Sequence, residues 1–237
     1  MSSHSHELDH EEHLESSEFI TDVVIGMADG LTVPFALAAG LSGAVHDNTI
    51  IITAGIAEIV AGSIAMGLGG YLSGKTEQEH YQAELKREYD EVKNKPDIEK
   101  AEVKEVFANY GFSEKTQDLI VDELVKDKDK WVDFMMKFEL GLDQPNPNRA
   151  RNSAATIGIS YIVGGLLPLS AYFFTSNPHQ GLLTSSVLTI ICLFIFGYFK
   201  SKVTGQDPIK GALKVTLIGV LAAAAAFGVA KFFDSAM

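Results

Sequence analysis

The chain alternates between long hydrophobic stretches and polar segments, and this pattern predicts most of its architecture. Each hydrophobic stretch holds about 20 residues, the length that a helix needs to cross the hydrocarbon core of a bilayer. Lipid cannot hydrogen-bond an exposed backbone, so such stretches cross as helices. We therefore predict an all-α, polytopic membrane protein. Its five predicted transmembrane helices are Phe19–Val45, Thr49–Ser73, Ala150–Thr175, Leu182–Phe199 and Pro208–Phe233.

A long charged segment separates the second and third hydrophobic stretches and predicts a helical insert. From Lys75 onward the sequence "KTEQEHYQAELKREYDEVK" continues the second span without Gly or Pro, so one helix is predicted to leave the membrane. Pro96 ends that helix, Asp97 is the predicted N-cap of the next, and Ser113 is that of the third. The predicted domains are a His- and acid-rich tail over 1–17, two spans over 18–73, the insert over 74–149 and three spans over 150–237.

The positions of lysine and arginine predict the orientation in the membrane. Basic loops stay in the cytosol, and the loops "GAVHDN" and "SNPHQG" contain no basic residue. The N-terminus and the insert are therefore predicted to be cytosolic, and the C-terminus is predicted to lie on the far side of the membrane. The basic residues that set this orientation are Arg149, Arg151, Lys200, Lys202, Lys210 and Lys214.

The net charge of the chain is -12 at pH 7. Nucleic-acid phosphates require a basic surface, so nucleic acid is not a predicted partner. An acidic chain is better suited to capturing cations, although acids also keep a polar segment solvated. The single cysteine, Cys192, excludes an intrachain disulfide.

Two of the predicted spans carry a carboxylate well inside their apolar sequence. Asp29 lies in the first span, five residues before Pro34. Proline has no N–H, so the carbonyl of Gly30 loses its helical partner beside Asp29. A carboxylate next to a free carbonyl offers hard oxygen ligands to a cation. Acids at this depth mark ion paths or proton relays, while a structural hydrogen bond is the alternative.

The second span repeats this arrangement on one helix face. Glu58 and Met66 recur on that face with Gly62 and Gly70, at every fourth residue. Small residues at this spacing let two helices approach closely. The neighbouring stripe of small residues is Ala57, Ala61, Ala65 and Gly69.

The insert carries acids at helical spacing together with two methionines. Carboxylates with a few thioethers suit a divalent first-row metal such as Fe(II) or Mn(II). Spacing alone favours a solvated acidic face over a metal site. The residues concerned are Glu88 and Glu91, then Glu99, Glu102 and Glu105, and finally Met135, Met136 and Glu139.

At these residues the chain resembles the vacuolar iron transporter family of plants and fungi. The resemblance rests on "DGLTVPFALAAGLSG" in the first span, "AEIVAGSIAMGLGGYLS" in the second, and the acidic insert that follows. It implies a homodimeric antiporter of the vacuolar membrane with a lumenal C-terminus. Such a protein exchanges cytosolic Fe(II), and often Mn(II), for protons and has no prosthetic group. The metal path lies between the first two spans of the two protomers.

The resemblance also assigns metal-binding roles to individual residues. It places Asp29, Glu58 and Met66 on the membrane path. It leaves the choice between Glu102 and Glu105 open in the insert. The implied ligands of the cytosolic site are Glu88, Glu91, Glu99, Glu102, Met135, Met136 and Glu139.

Three other functions fit parts of the same pattern. A di-iron carboxylate oxidase needs two Glu-x-x-His pairs, and the insert has one candidate, Glu77 with His80. A membrane-anchored metal sensor would leave Asp29 and Glu58 without a role. A calcium transporter would prefer all-oxygen sites, which disfavours the methionines.

Overall fold

The computed structural model describes residues 18–236, with side chains as far as Phe232, so the predicted tail over 1–17 lies outside the described residues. The described chain is helical and contains no strand, which confirms the all-α prediction. Eight α-helices and one π-helical turn follow one another over residues 18–236. They are α1 (Glu18–Ser42), α2 (Asn48–Asn94), α3 (Pro96–Asn109), α4 (Glu114–Leu124), α5 (Lys128–Phe134), the π-helical turn (Met135–Glu139), α6 (Arg149–Phe173), α7 (Pro178–Val203) and α8 (Pro208–Ala236).

Five of these helices, α1, α2, α6, α7 and α8, are long and apolar enough to cross a membrane. This confirms the number and order of the predicted spans. The largest difference is in α7, which begins at Pro178 rather than at Leu182. Asn177 explains the earlier start, because its side-chain oxygen accepts a hydrogen bond from the backbone N–H of Gln180 at 3.0 Å. Hydropathy marks where a helix becomes apolar, whereas the cap marks where it begins.

The chain divides into two compact units. Among the described residues, the spanning unit runs up to Tyr71 and from Arg151 onward, and the insert unit is Leu72–Ala150. In the spanning unit, α1, α7 and α8 pack against one another. Pro34 lies within α1, which nevertheless continues to Ser42.

Glycines bring α6 close to both α1 and α2 in the spanning unit. A Cβ atom at Gly26 or Gly30 of α1 would overlap the α6 backbone, at Ile157 and Tyr161 respectively. A Cβ atom at Gly62 of α2 would overlap the ring of Tyr161. These close approaches set the positions of the membrane carboxylates relative to α6.

The insert unit has its own hydrophobic core. One of the two N-caps predicted in the insert unit is wrong, and the other holds its position without bonding to the backbone. Asp97 is not the N-cap of α3, because Pro96 already occupies the first turn and Lys95 holds the cap position. Ser113 does hold the cap position of α4, but its hydroxyl contacts the Thr116 hydroxyl at 3.0 Å instead of the backbone. The buried core consists of Tyr81, Val92, Val103, Val121, Trp131, Val132, Met135 and Met136.

Candidate metal centre

Three carboxylates from different elements of the insert unit converge at one point. They are Glu88 of α2, Glu99 of α3 and Glu139 of the π-helical turn, and each offers an oxygen within 4.8 Å of the other two. Glu88 and Glu99 are buried, with exposures of 2% and 3%. In each of these two, Oε2 is buried without a hydrogen-bond partner. Buried, unpartnered carboxylate oxygens are costly unless a proton or a cation occupies them.

The hydrophobic core explains why these acids meet. Val92 lies one turn after Glu88 on α2, and Val103 lies one turn after Glu99 on α3. Residues four apart share a helix face, and both valines belong to the core. The packing of the valines therefore carries the two carboxylates to the rim of the core.

The π-helical turn supplies the third carboxylate. The N–H of Leu140 donates to the carbonyl of Met135 at 3.1 Å, an i to i+5 bond that replaces the α-helical pattern. Such turns have one extra residue and are frequent at functional sites. Here Met135 and Met136 are both buried in the core, and Glu139 is exposed at the carboxylate cluster. The extra residue changes the direction in which the side chains after it project.

The converging carboxylates hold protons more strongly than an ordinary glutamate does. Burial of the carboxylate group, which is only partial at the exposed Glu139, together with the charges of neighbouring carboxylates, raises the pKa of Glu99 to about 7 and that of Glu139 to about 7. The same causes raise the pKa of Glu88. The charge of Glu102 acts on all three, as does that of Glu91. A divalent cation would relieve this repulsion.

Glu91 belongs to the electrostatic surroundings of the cluster but is engaged by two cations. Lys95 Nζ donates to its Oε1 at 3.1 Å, and Arg87 Nε donates to its Oε2 at 3.2 Å. These contacts lower the pKa of Glu91, the Lys95 hydrogen bond most of all. Glu91 is therefore not one of the three converging carboxylates in this state. Its part in metal binding would require the two cations to withdraw.

The remaining candidates of the insert occupy different environments. Glu102 is half-buried and lies close enough for its charge to act on the cluster, whereas Glu105 is exposed. Met135 and Met136 are 0% and 1% exposed and pack in the core of the insert unit. Their burial is thus explained by packing, and they are within a turn of Glu139.

In the spanning unit Glu58 pairs with a residue that sequence analysis missed. The hydroxyl of Tyr161 on α6 donates a hydrogen bond to Oε1 of Glu58, and Oε2 of Glu58 is buried without a partner. Tyr161 is itself 2% exposed. The sequence signal that could have identified Tyr161 is its hydroxyl in the middle of an apolar span, flanked by Gly158 and Gly164.

The other two membrane candidates, Asp29 and Met66, lie on α1 and α2. Asp29 is half-buried on α1, and its charge acts on Tyr161. Met66 is half-buried two turns after Glu58 on α2. Within residues 18–236, groups of three acidic, histidine or cysteine side chains at ligating distance occur only at the cluster of the insert unit.

The small-residue stripe of α2 lies on the surface of the described chain. Its four residues are exposed, as are the neighbouring Val60, Ile64 and Leu68, at 54%, 66% and 54%. A face of small residues at fourfold spacing suits close contact with another helix. The stripe comprises Ala57, Ala61, Ala65 and Gly69.

The chain is similar in sequence to several known proteins. A sequence profile described as the VIT family matches residues 20–231. A "Vacuolar iron transporter" of Centaurea cyanus is 52% identical, covering 93% of this chain and 90% of the relative. "Vacuolar iron transporter 1" of Tulipa gesneriana is 51% identical, covering 96% and 92%. The Oryza sativa protein of the same name is 50% identical, covering 97% and 91%. The chain therefore belongs to the VIT family.

Proposed function

We propose that this protein is a proton-coupled antiporter that moves Fe(II), and Mn(II) or similar divalent metals, from the cytosol into the vacuole. The observation that carries the proposal is the convergence of Glu88, Glu99 and Glu139, with two buried and unpartnered carboxylate oxygens. The relatives named as vacuolar iron transporters support iron as the cargo and the vacuolar membrane as the location. Membrane spans of the expected number support transport.

The insert unit is the cytosolic site that binds the metal. Glu88, Glu99 and Glu139 supply the first three ligand oxygens, and Glu102 supports them through its charge. Carboxylates bind first-row divalent metals loosely enough to release them. Protons compete for the same oxygens, since a ligand must be deprotonated to bind.

The spanning unit carries the metal past Asp29, Glu58 and Met66. A carboxylate that holds either a cation or a proton couples the two by competition, so an acidic lumen favours metal release. The path forms in a homodimer at the exposed stripe of α2, which includes Ala61 and Ala65. Basic residues beside α6, α7 and α8 support a cytosolic insert and N-terminus, with the C-terminus in the lumen.

The positions of Glu77 and His80 give little support to the alternative of a di-iron oxidase. Glu77 makes an ion pair with Arg149 at 3.9 Å, and its side chain is 51% exposed. His80 is exposed as well. Neither residue belongs to the carboxylate cluster. Ferroxidase turnover with oxygen consumption in the purified protein would favour the oxidase.

The test is Fe(II) uptake into liposomes under an imposed pH gradient. An acidic interior should accelerate uptake by wild-type protein, and collapsing the gradient with a protonophore should slow it severalfold. Glu99→Gln should reduce uptake at low Fe(II) concentration, whereas Glu105→Gln, on the exposed part of the same helix, should not. Uptake that is indifferent to the gradient would contradict antiport. A protein that binds metal without moving it would favour a sensor.

A further inference from the structure

We infer that Tyr161 is a positioning residue that makes Glu58 a one-oxygen ligand and so disfavours calcium on the metal path. The inference rests on the proposed transport function. It adds a third helix, α6, to a path otherwise built from α1 and α2.

The contact between the two side chains leaves one oxygen for the cargo. The Tyr161 hydroxyl donates to Oε1 of Glu58, while Oε2 is buried with no partner. A carboxylate held in this way presents Oε2 in a fixed direction, and the hydrogen bond opposes the rotation that would turn both oxygens to one ion. Because Tyr161 is 2% exposed, water has little access with which to replace its hydroxyl.

Neighbouring glycines hold Tyr161 in place from two sides. Gly62 lies one turn after Glu58, and a Cβ atom there would overlap the hydroxyl and ring of Tyr161. Gly30 lies next to Asp29, and a Cβ atom there would overlap the backbone of Tyr161. The tyrosine is therefore fixed against both helices that carry a membrane carboxylate. The charges of Glu58 and Asp29 both act on the hydroxyl of Tyr161.

The chemistry of the competing ions gives this arrangement a consequence for selectivity. Calcium takes six to eight oxygen ligands and accepts both oxygens of one carboxylate. Smaller divalent cations accept fewer ligands in stricter geometry. With one lone pair of Oε1 taken by Tyr161, binding of an ion through both oxygens of Glu58 is disfavoured. Removal of the hydroxyl should therefore weaken binding of the small cargo and admit calcium.

The experiment compares wild type, Tyr161→Phe and Tyr172→Phe in liposomes. Tyr172 is the matched control, since it is a tyrosine of α6 with 1% exposure whose hydroxyl contacts Ser42 at 2.9 Å. Fe(II) uptake is measured as KM and Vmax, and then as inhibition by Ca²⁺. Tyr161→Phe should raise KM about tenfold, because a carboxylate that is free to turn loses the preorganisation that favours the small cation. It should also lower the Ca²⁺ concentration needed for half-inhibition, while Tyr172→Phe changes neither value.

The possible outcomes separate this inference from the function on which it rests. Absence of Fe(II) uptake by wild type would overturn both. Normal wild-type uptake with unchanged KM and Ca²⁺ inhibition in Tyr161→Phe would overturn the role of Tyr161 alone, as would equal effects in Tyr172→Phe. Should Tyr161→Phe fail to fold, Gly62→Ala displaces the tyrosine ring with its hydroxyl still present. The same rise in KM is expected there, and an unchanged KM would contradict the inference.

Discussion

Carboxylate oxygens that are buried without a hydrogen-bond partner occur in both units. Oε2 of Glu88 and Oε2 of Glu99 are buried without partners in the insert unit, and Oε2 of Glu58 is buried without a partner in the spanning unit. Proteins seldom leave such atoms unpartnered, because the lost hydration is not replaced. Each atom therefore marks a place where a proton or a cation can bind.

Glu99→Gln should separate metal affinity from stability. Gln keeps the shape of the side chain but removes the charge that neighbouring carboxylates repel. We expect the thermal midpoint of the metal-free protein at pH 8 to rise, and the affinity for Mn(II) to fall at least tenfold. Differential scanning fluorimetry with chelator, and titration calorimetry with Mn(II), measure the two effects. Glu105→Gln is the control, and a fall in stability for Glu99→Gln would contradict the account.

The raised pKa values also predict how stability depends on pH. The pKa of Glu99 is about 7 in the folded protein and about 4.3 in an unfolded chain. Between these values the folded state holds a proton that the unfolded state has lost, so stability falls as pH rises through this window. The advantage of Glu99→Gln over wild type in thermal midpoint should therefore grow from pH 5 to pH 7.5. A difference that is constant over this range would show that the pKa is not raised.

The sequence predicts the membrane-spanning helices, but it does not predict the complete metal site. Spans depend on local hydropathy, so their number and order agree with the structure. The convergence of Glu88, Glu99 and Glu139 depends on how three elements pack, and spacing along one helix cannot reveal it. Tyr161 was missed for the same reason, since its role lies in contact with α2. The prediction of Asp97 as an N-cap was wrong because α3 already begins at Pro96.

The π-helical turn is the element whose removal should be most informative. Deletion of Lys137, which is exposed, would let the turn become α-helical and rotate Glu139 away from the cluster. We expect Mn(II) affinity to fall at least tenfold while the helix content, measured by circular dichroism, is retained. Lys137→Ala keeps the chain length and should bind as wild type does. Full affinity after the deletion would show that the turn has no part in the site.

The exposed stripe of small residues on α2 concerns how two copies of the molecule assemble. Apolar exposure is ordinary for helices that face lipid, but a continuous line of small residues is suited to helix contact. Dimerisation through this stripe would bring the candidates Glu58 and Met66 of two protomers into one path. The stripe therefore links the assembly to the proposed transport.

Ala61→Phe tests this assembly directly. The added ring should block close contact between two copies of α2, so the protein should shift from dimer to monomer in detergent. Light scattering coupled to size-exclusion chromatography measures the shift. Ala225→Phe adds the same ring at an exposed site on α8 and should leave the dimer intact. A dimer that survives Ala61→Phe would place the interface elsewhere.

Paired fluxes of Fe(II) and protons would show whether one path carries metal and protons in opposite directions. Fe(II) uptake and lumenal pH would be recorded together in liposomes that contain wild type, Asp29→Asn or Asp47→Asn. Asp47→Asn is the control, because Asp47 accepts a hydrogen bond from the Thr49 N–H at 2.8 Å and asparagine also caps helices. The account predicts that wild type and the control exchange Fe(II) for protons, while Asp29→Asn loses both fluxes together. Fe(II) uptake in Asp29→Asn at the wild-type rate, or wild-type uptake without proton efflux, would contradict it.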